Sequence, residues 1–119
     1  MMRNYSKITE EECSSVQKNL VLLLACFHMS MDDLACQIGM TRQAISLYTT
    51  CERRMPKTSC ISILAIFDYI IEDSQNEILK VILESIINED YDTLLANIEV
   101  KTLNKNASNR LLQIMTGAA

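Results

Sequence analysis

Residues 31–48, MDDLACQIGMTRQAISLY, constrain the fold more than any other stretch of the chain. They read as two short helices joined by a tight turn at Gly39. Leu34, Ala35 and Ile38 mark the inward face of the first helix, and Ala44, Ile45 and Tyr48 that of the second. A glycine where the first helix has to stop takes the left-handed conformation without steric penalty. Thr41 can then accept a hydrogen bond from the N–H groups that open the second helix. Arg42, Gln43, Ser46 and Leu47 are left facing outward, with Arg42 and Gln43 at the N-terminal end. A helix-turn-helix presents its second helix to a DNA major groove in this way.

The rest of the chain reads as helical too. Of 119 residues, only two are Gly and one is Pro, which is too little punctuation for turn-rich β structure. Hydrophobic residues make up 49%, enough for a packed core. Residues 1–8 show no period and read as a flexible arm. Thr9 with Glu12 makes a capping box that opens a helix over residues 10–28. Ser30 with Asp33 opens the first motif helix in the same way. A basic loop, CERRMPKTS, holds the only proline, and Thr58 or Ser59 is expected to cap an apolar helix over residues 60–71. Ser74 with Glu77 is expected to start another helix, over residues 75–88, and a shorter helix covers 92–100. Residues 101–109 are polar and read as a loop before a last turn or two at 110–115, and 117–119 should fray. The expected organisation is a flexible arm (1–8), a DNA-binding domain (9–73) and a C-terminal helical extension (74–119).

Composition excludes several function classes. Net charge is −4, yet its distribution is uneven. Over residues 30–60, Arg42, Arg53, Arg54 and Lys57 slightly outweigh Asp32, Asp33 and Glu52, whereas acids dominate from Glu72 onward. The five cysteines (13, 26, 36, 51, 60) form no C-x-x-C pair and His28 is the only histidine, so no metal is expected, and the cysteines read as small core residues of a reducing cytoplasm. The apolar run 20–27 is too short to span a bilayer, which takes about 20 residues, so no membrane partner and a cytoplasmic location are expected. Asp32 and Asp33 favour the dipole at a helix start, and no His, Cys or third acid is spaced to build an acid–base or metal site with them. No phosphate-binding Gly loop is visible. An enzyme is not expected, nor a cofactor.

Residues 20–71 resemble the helix-turn-helix domain of the Cro/C1-type repressors, the XRE family. The resemblance rests on Leu34-Ala35, Ile38-Gly39, the run Thr41-Arg42-Gln43-Ala44-Ile45-Ser46, Tyr48, the basic pair Arg53-Arg54 before Pro56, and the apolar helix after it. It implies an all-α fold, a five-helix lambda-repressor-like bundle, here with additional C-terminal helices. It also implies a dimer that binds operator DNA. Cys51 stands where the family commonly has a C-cap glycine, and a non-glycine residue there costs about 1 kcal/mol. Thr49 stands where the family often has Glu.

These observations converge on a sequence-specific, DNA-binding transcriptional regulator, a repressor that binds a palindromic operator as a homodimer. Arg42 and Gln43 can pair with guanine O6/N7 and adenine N6/N7, and Ser46 and Leu47 are further candidates for base contact. Ser30, Thr41, Thr49, Arg53, Arg54 and Lys57 are the candidates for phosphate contact. Ile78, Leu79, Val81, Ile82, Leu83, Ile86 and Ile87 are too many apolar residues for a single helix face. The helix either packs back on the five-helix core or pairs with the same helix of another chain, and Ile78, Ile82, Leu83 and Ile86 are assigned to dimerisation. The alternative is a helix-turn-helix interaction module, an antagonist or antitoxin-like subunit with little or no DNA binding, and a protein antagonist is a further possible partner. Acidity and the weak anchor at Ser30-Met31 favour the alternative; Arg42-Gln43 and the basic loop favour the regulator.

Overall fold

The computed structural model describes residues 3–117; Met1, Met2, Ala118 and Ala119 lie outside the described residues, and with them part of the arm and of the fraying end. Eight α-helices follow one another without a strand among the described residues: α1 (Glu10–Lys18), α2 (Leu20–Cys26), α3 (Met31–Ile38), α4 (Arg42–Thr49), α5 (Lys57–Ser74), α6 (Glu77–Ile87), α7 (Tyr91–Asn97) and α8 (Lys105–Met115). Single 3-10 turns cover Tyr5–Lys7 and Val100–Thr102. The all-α expectation holds.

α2 sits at the centre. Its Leu20, Leu22 and Leu23 are fully buried, and Leu24 nearly so. A seven-residue helix with apolar residues on almost every side can be accommodated only if neighbours surround it. Phe27, just past its end, tilts against Phe67 of α5 with ring centroids 4.5 Å apart. α5 presents Cys60, Ile63, Leu64 and Phe67 to this core, the i, i+3, i+4, i+7 stripe of a core-facing helix.

Several expected boundaries move, each for a local reason. The helix over residues 10–28 is two helices, because Asn19 interrupts it. Its side-chain amide donates to the Ser15 carbonyl at 2.9 Å, a local bond that competes with the helical backbone pattern. α5 starts three residues earlier than expected. Pro56 takes the cap position, where a missing N–H costs nothing, so Thr58 and Ser59 lie inside the first turn. α6 is capped by Asn76, whose Oδ1 accepts from the N–H groups of Ile78 and Leu79; Ser74 instead ends α5. The loop expected over 101–109 is already helical from Lys105, capped by Asn104. Its inward stripe is Ala107, Arg110, Leu111 and Ile114, and an alanine and an arginine in that stripe hide the period from a hydropathy pattern.

The arm is not loose. The Arg3 guanidinium donates to both oxygens of Asp68 at 3.1 Å and to Glu84 at 2.7 Å, and the Tyr5 hydroxyl donates to Asp68 at 2.7 Å. Ile8 is buried in the core. Burial lowers the Arg3 proton affinity, but the hydrogen bonds to Asp68 and Glu84 outweigh it and raise it overall. Burial, helped by the bond to Asp68, pushes the Tyr5 phenol up to about 12.

The C-terminal segment is not an appendage either. Ile82, Leu83 and Ile86 of α6 are 4%, 0% and 0% exposed and belong to the same core as Leu20 and Leu64, as do Leu94, Ala107 and Leu111. The assignment of Ile82, Leu83 and Ile86 to dimerisation is therefore corrected: they are buried within one chain, where α1, α2, α5 and α7 pack against α6. Ile78, the fourth, is 58% exposed, with Val81 beside it on the same helix at 37%. Of the cysteines, Cys13 and Cys60 are buried and Cys26 half-buried, while Cys36 and Cys51 are exposed rather than core residues.

Candidate nucleic-acid interface

The motif is built from two capped helices and one left-handed turn. Ser30 opens α3 with a reciprocal box: its hydroxyl accepts from the Asp33 N–H at 3.0 Å, and the Asp33 carboxylate accepts from the Ser30 N–H at 3.1 Å. Hydrogen bonding to the carboxylate, from the Ser30 N–H first and the Ser30 side chain second, holds the Asp33 carboxyl below the usual carboxylate range. α3 ends at Gly39, with φ +69° and ψ 34°. A Cβ added there would meet nothing within 4 Å, so the backbone angle, not crowding, calls for glycine. The Gly39 and Met40 N–H groups both donate to the Ala35 carbonyl, which closes the turn.

α4 then starts from Thr41, whose hydroxyl accepts from the Ala44 N–H at 3.1 Å. Ala44, Ile45 and Tyr48 are buried, and they seat α4 on the bundle as the spacing predicts. Thr41, Arg42 and Gln43 are exposed together in its first turn. No acid occupies that turn, so the positive end of the helix dipole is open to solvent. The Arg42 Nε lies 3.5 Å from Asp32 Oδ1 of α3, with both side chains well exposed. Such a pair contributes about 0–1 kcal/mol and gives way readily to a better acceptor.

The remaining candidates are less uniform. Ser46 and Leu47 are half-buried, one turn further along α4. Thr49 is half-buried too, and its hydroxyl donates to the Ser46 carbonyl at 2.7 Å, so that proton is committed to the backbone. Ser30 sits where Asp32 and Asp33 already occupy the helix start, and a phosphate there would meet two carboxylates. Arg53, Arg54 and Lys57 are exposed on the loop and at the start of α5. Arg54 is paired with Glu10 at the start of α1.

One residue that pattern reading missed positions this loop. Gln17 of α1 is buried, and its side-chain amide donates to the carbonyls of Tyr48 (3.2 Å) and Arg53 (2.6 Å), while its oxygen accepts from the Met55 N–H at 3.0 Å. The loop leaving α4 is thus held by three hydrogen bonds to one side chain. Cys51, inside that loop, has φ +60°, the left-handed conformation expected of a glycine position. A lone Gln on an otherwise polar helix offers no signal of this role in the sequence.

Among the described residues no group of three or more His, Cys, Asp or Glu is placed to hold a metal ion, and no single helix is long and apolar enough to cross a membrane. A scan against protein-family models finds no match, and comparison with curated proteins and with solved structures finds none either.

Proposed function

We propose that the chain is a sequence-specific DNA-binding transcriptional regulator of the helix-turn-helix kind, with α4 as its recognition helix. The observation that carries this reading is the first turn of α4. Arg42 and Gln43 stand exposed beside an acid-free helix N-terminus capped by Thr41, on a helix whose opposite face is anchored by Ala44, Ile45 and Tyr48. The open N-terminus suits a backbone phosphate, and the two side chains suit guanine and adenine edges. Arg53 and Lys57 add positive charge after the helix, for phosphates that position without specifying. A lambda-repressor-like five-helix unit made of α1 to α5, related to Cro/C1-type repressors, is part of the same proposal. A palindromic operator would need two such helices about 34 Å apart. The exposed Ile78 and Val81 of α6 are then the apolar contact open to a second copy, in place of the buried Ile82, Leu83 and Ile86.

Selection of bound duplexes from random DNA with the full chain, followed by anisotropy across salt, tests the proposal. The expected result is an enriched sequence whose log affinity falls linearly with log salt, with a slope of about −0.9 for each phosphate neutralised. No enrichment, together with no binding at low salt, would overturn it.

A second reading is favoured by the pairing of Arg42 with Asp32 and of Arg54 with Glu10. Each cation already has an acid beside it, on a chain of net charge −4. That arrangement suits a helix-turn-helix module that binds a protein partner instead of DNA, and the failure of the selection experiment would favour it.

A further inference from the structure

Arg110 is the only charged side chain among the described residues that is buried, at 9% exposure. A guanidinium stays charged at any ordinary pH, and buried charges are normally paired with an opposite one. Here no side-chain carboxylate among the described residues pairs with it. Its partners are neutral: Nε donates to Asn19 Oδ1 at 2.8 Å, Nη1 to Gln113 Oε1 at 3.3 Å and Nη2 to the Tyr91 hydroxyl at 3.4 Å. Three of its five N–H donors are used, and two of those bonds are long.

Arg110 also lines a cleft of about 370 Å³ between α8, the end of α1 and the end of α4. Lys18 lines it too, with the amide side chains of Asn109 and Gln113, the hydroxyl of Thr50 and apolar surface from Val21 and Cys51; none of the lining residues carries a carboxylate. The size is within the range of small-molecule sites. The negative ends of the α1 and α4 dipoles oppose an anion, but together they amount to about one charge against two full positive ones. Glu89, 3.8 Å from Lys18, is 44% exposed and screened by water.

We propose that this cleft binds a small oxyanion, the phosphate or carboxylate group of a metabolite, with Arg110 as its buried anchor and Lys18 as its outer one. The bound group supplies the counter-charge that the fold withholds from Arg110, and the amides of Asn109 and Gln113 orient it. Occupancy reaches Thr50 and Cys51 at the exit of α4; an effect of the ligand on DNA rests on the proposed role of α4, whereas binding itself does not.

Titration of the labelled full chain with inorganic phosphate, and separately with acetate, against chloride at matched ionic strength tests this by amide shifts. Saturable shifts at Thr50, Cys51, Asn109 and Gln113, with a rise in thermal midpoint, are expected for phosphate; a response to acetate as well would mean that a carboxylate suffices. Asn109→Asp, on the exposed rim, keeps the fold and should weaken phosphate at least about tenfold, close to the effect of one adjacent like charge in partly screened surroundings. Lys18→Gln should weaken it less, and Arg110→Met should abolish the shifts while leaving a helical chain. Shifts that never saturate, shifts confined to the starts of α3 and α4, or affinity unchanged by Asn109→Asp would each overturn the proposal.

Discussion

α3 and α4 begin alike and end up electrostatically opposite. Each opens on a hydroxyl cap, Ser30 or Thr41, that accepts from the backbone N–H three residues on. α3 then places Asp32 and Asp33 in its first turn, and the Asp33 carboxylate satisfies the N-terminus from within. α4 places Arg42 and Gln43 there and leaves the N-terminus to solvent. One helix start is self-neutralised and the other is kept open, at the cost of the stability that an acid would add. An ordinary surface helix gains from the first arrangement. The second makes sense where an outside anion completes the helix.

The sharpest way to break this contrast is Arg42→Glu, which gives α4 the kind of acid that α3 already carries. Affinity for the selected duplex should fall by about a hundredfold or more, the loss of a bidentate base contact plus a repulsive charge. The thermal midpoint should change little, since the gain of about 0.3–1 kcal/mol from an acid in a first turn is offset by repulsion from Asp32. Equal losses of affinity and stability would mean that Arg42 is only structural. Next in size, Ser30→Ala and Thr41→Ala should each cost about 1 kcal/mol in denaturant unfolding. Only Thr41→Ala should also weaken DNA binding. Asp32→Asn, which frees Arg42 from its neighbour, should tighten binding by roughly threefold, in keeping with an exposed pair of less than 1 kcal/mol. An unchanged affinity would show that the Arg42–Asp32 contact does not compete with DNA. The smallest effect is expected from Asp33→Ala and depends on pH. Because the folded state depresses the Asp33 carboxyl, its contribution is present above the unfolded carboxylate range and is lost as pH falls through the lower folded value. The difference in midpoint between the variant and the parent should therefore be seen at neutral pH and vanish in strong acid.

The contrast was visible in sequence because caps are local. Ser30-x-x-Asp33, Thr9-x-x-Glu12, Thr41 and Gly39 act within four residues, and each sits where its residue type predicts. Polar side chains acting at long range were not legible. Gln17 reaches residues 31 to 38 positions away, and Asn19 meets Arg110 across 91. Arg3, in a segment without periodicity, closes the gap between α5 and α6. Nor could periodicity decide what covers Ile82, Leu83 and Ile86. An apolar helix face looks the same in sequence whether its cover is α1 of the same chain or a second copy. The candidate site was legible in its first turn, at Arg42 and Gln43, and less so further on. There the half-burial of Leu47 and the internal bond of Thr49 depend on how α4 is tilted onto the bundle.

Among the described residues four non-glycine residues, His28, Cys51, Gln75 and Glu89, adopt positive φ, and each lies just past a helix, at the end of α2, α4, α5 and α6. With so few glycines in the chain, these stops are made by residues that each carry about 1–2 kcal/mol of conformational strain. The consequence concerns cellular lifetime. Net stabilities are only about 5–15 kcal/mol, so relieving one such site by about 1 kcal/mol multiplies the folded-to-unfolded ratio roughly fivefold. The unfolded fraction is what proteases draw on, so abundance follows it. His28, exposed and without a side-chain hydrogen bond among those described, is the cleanest place to change it. A His28→Gly chain should therefore persist longer in a cell than its parent, as pulse-chase of the two would show.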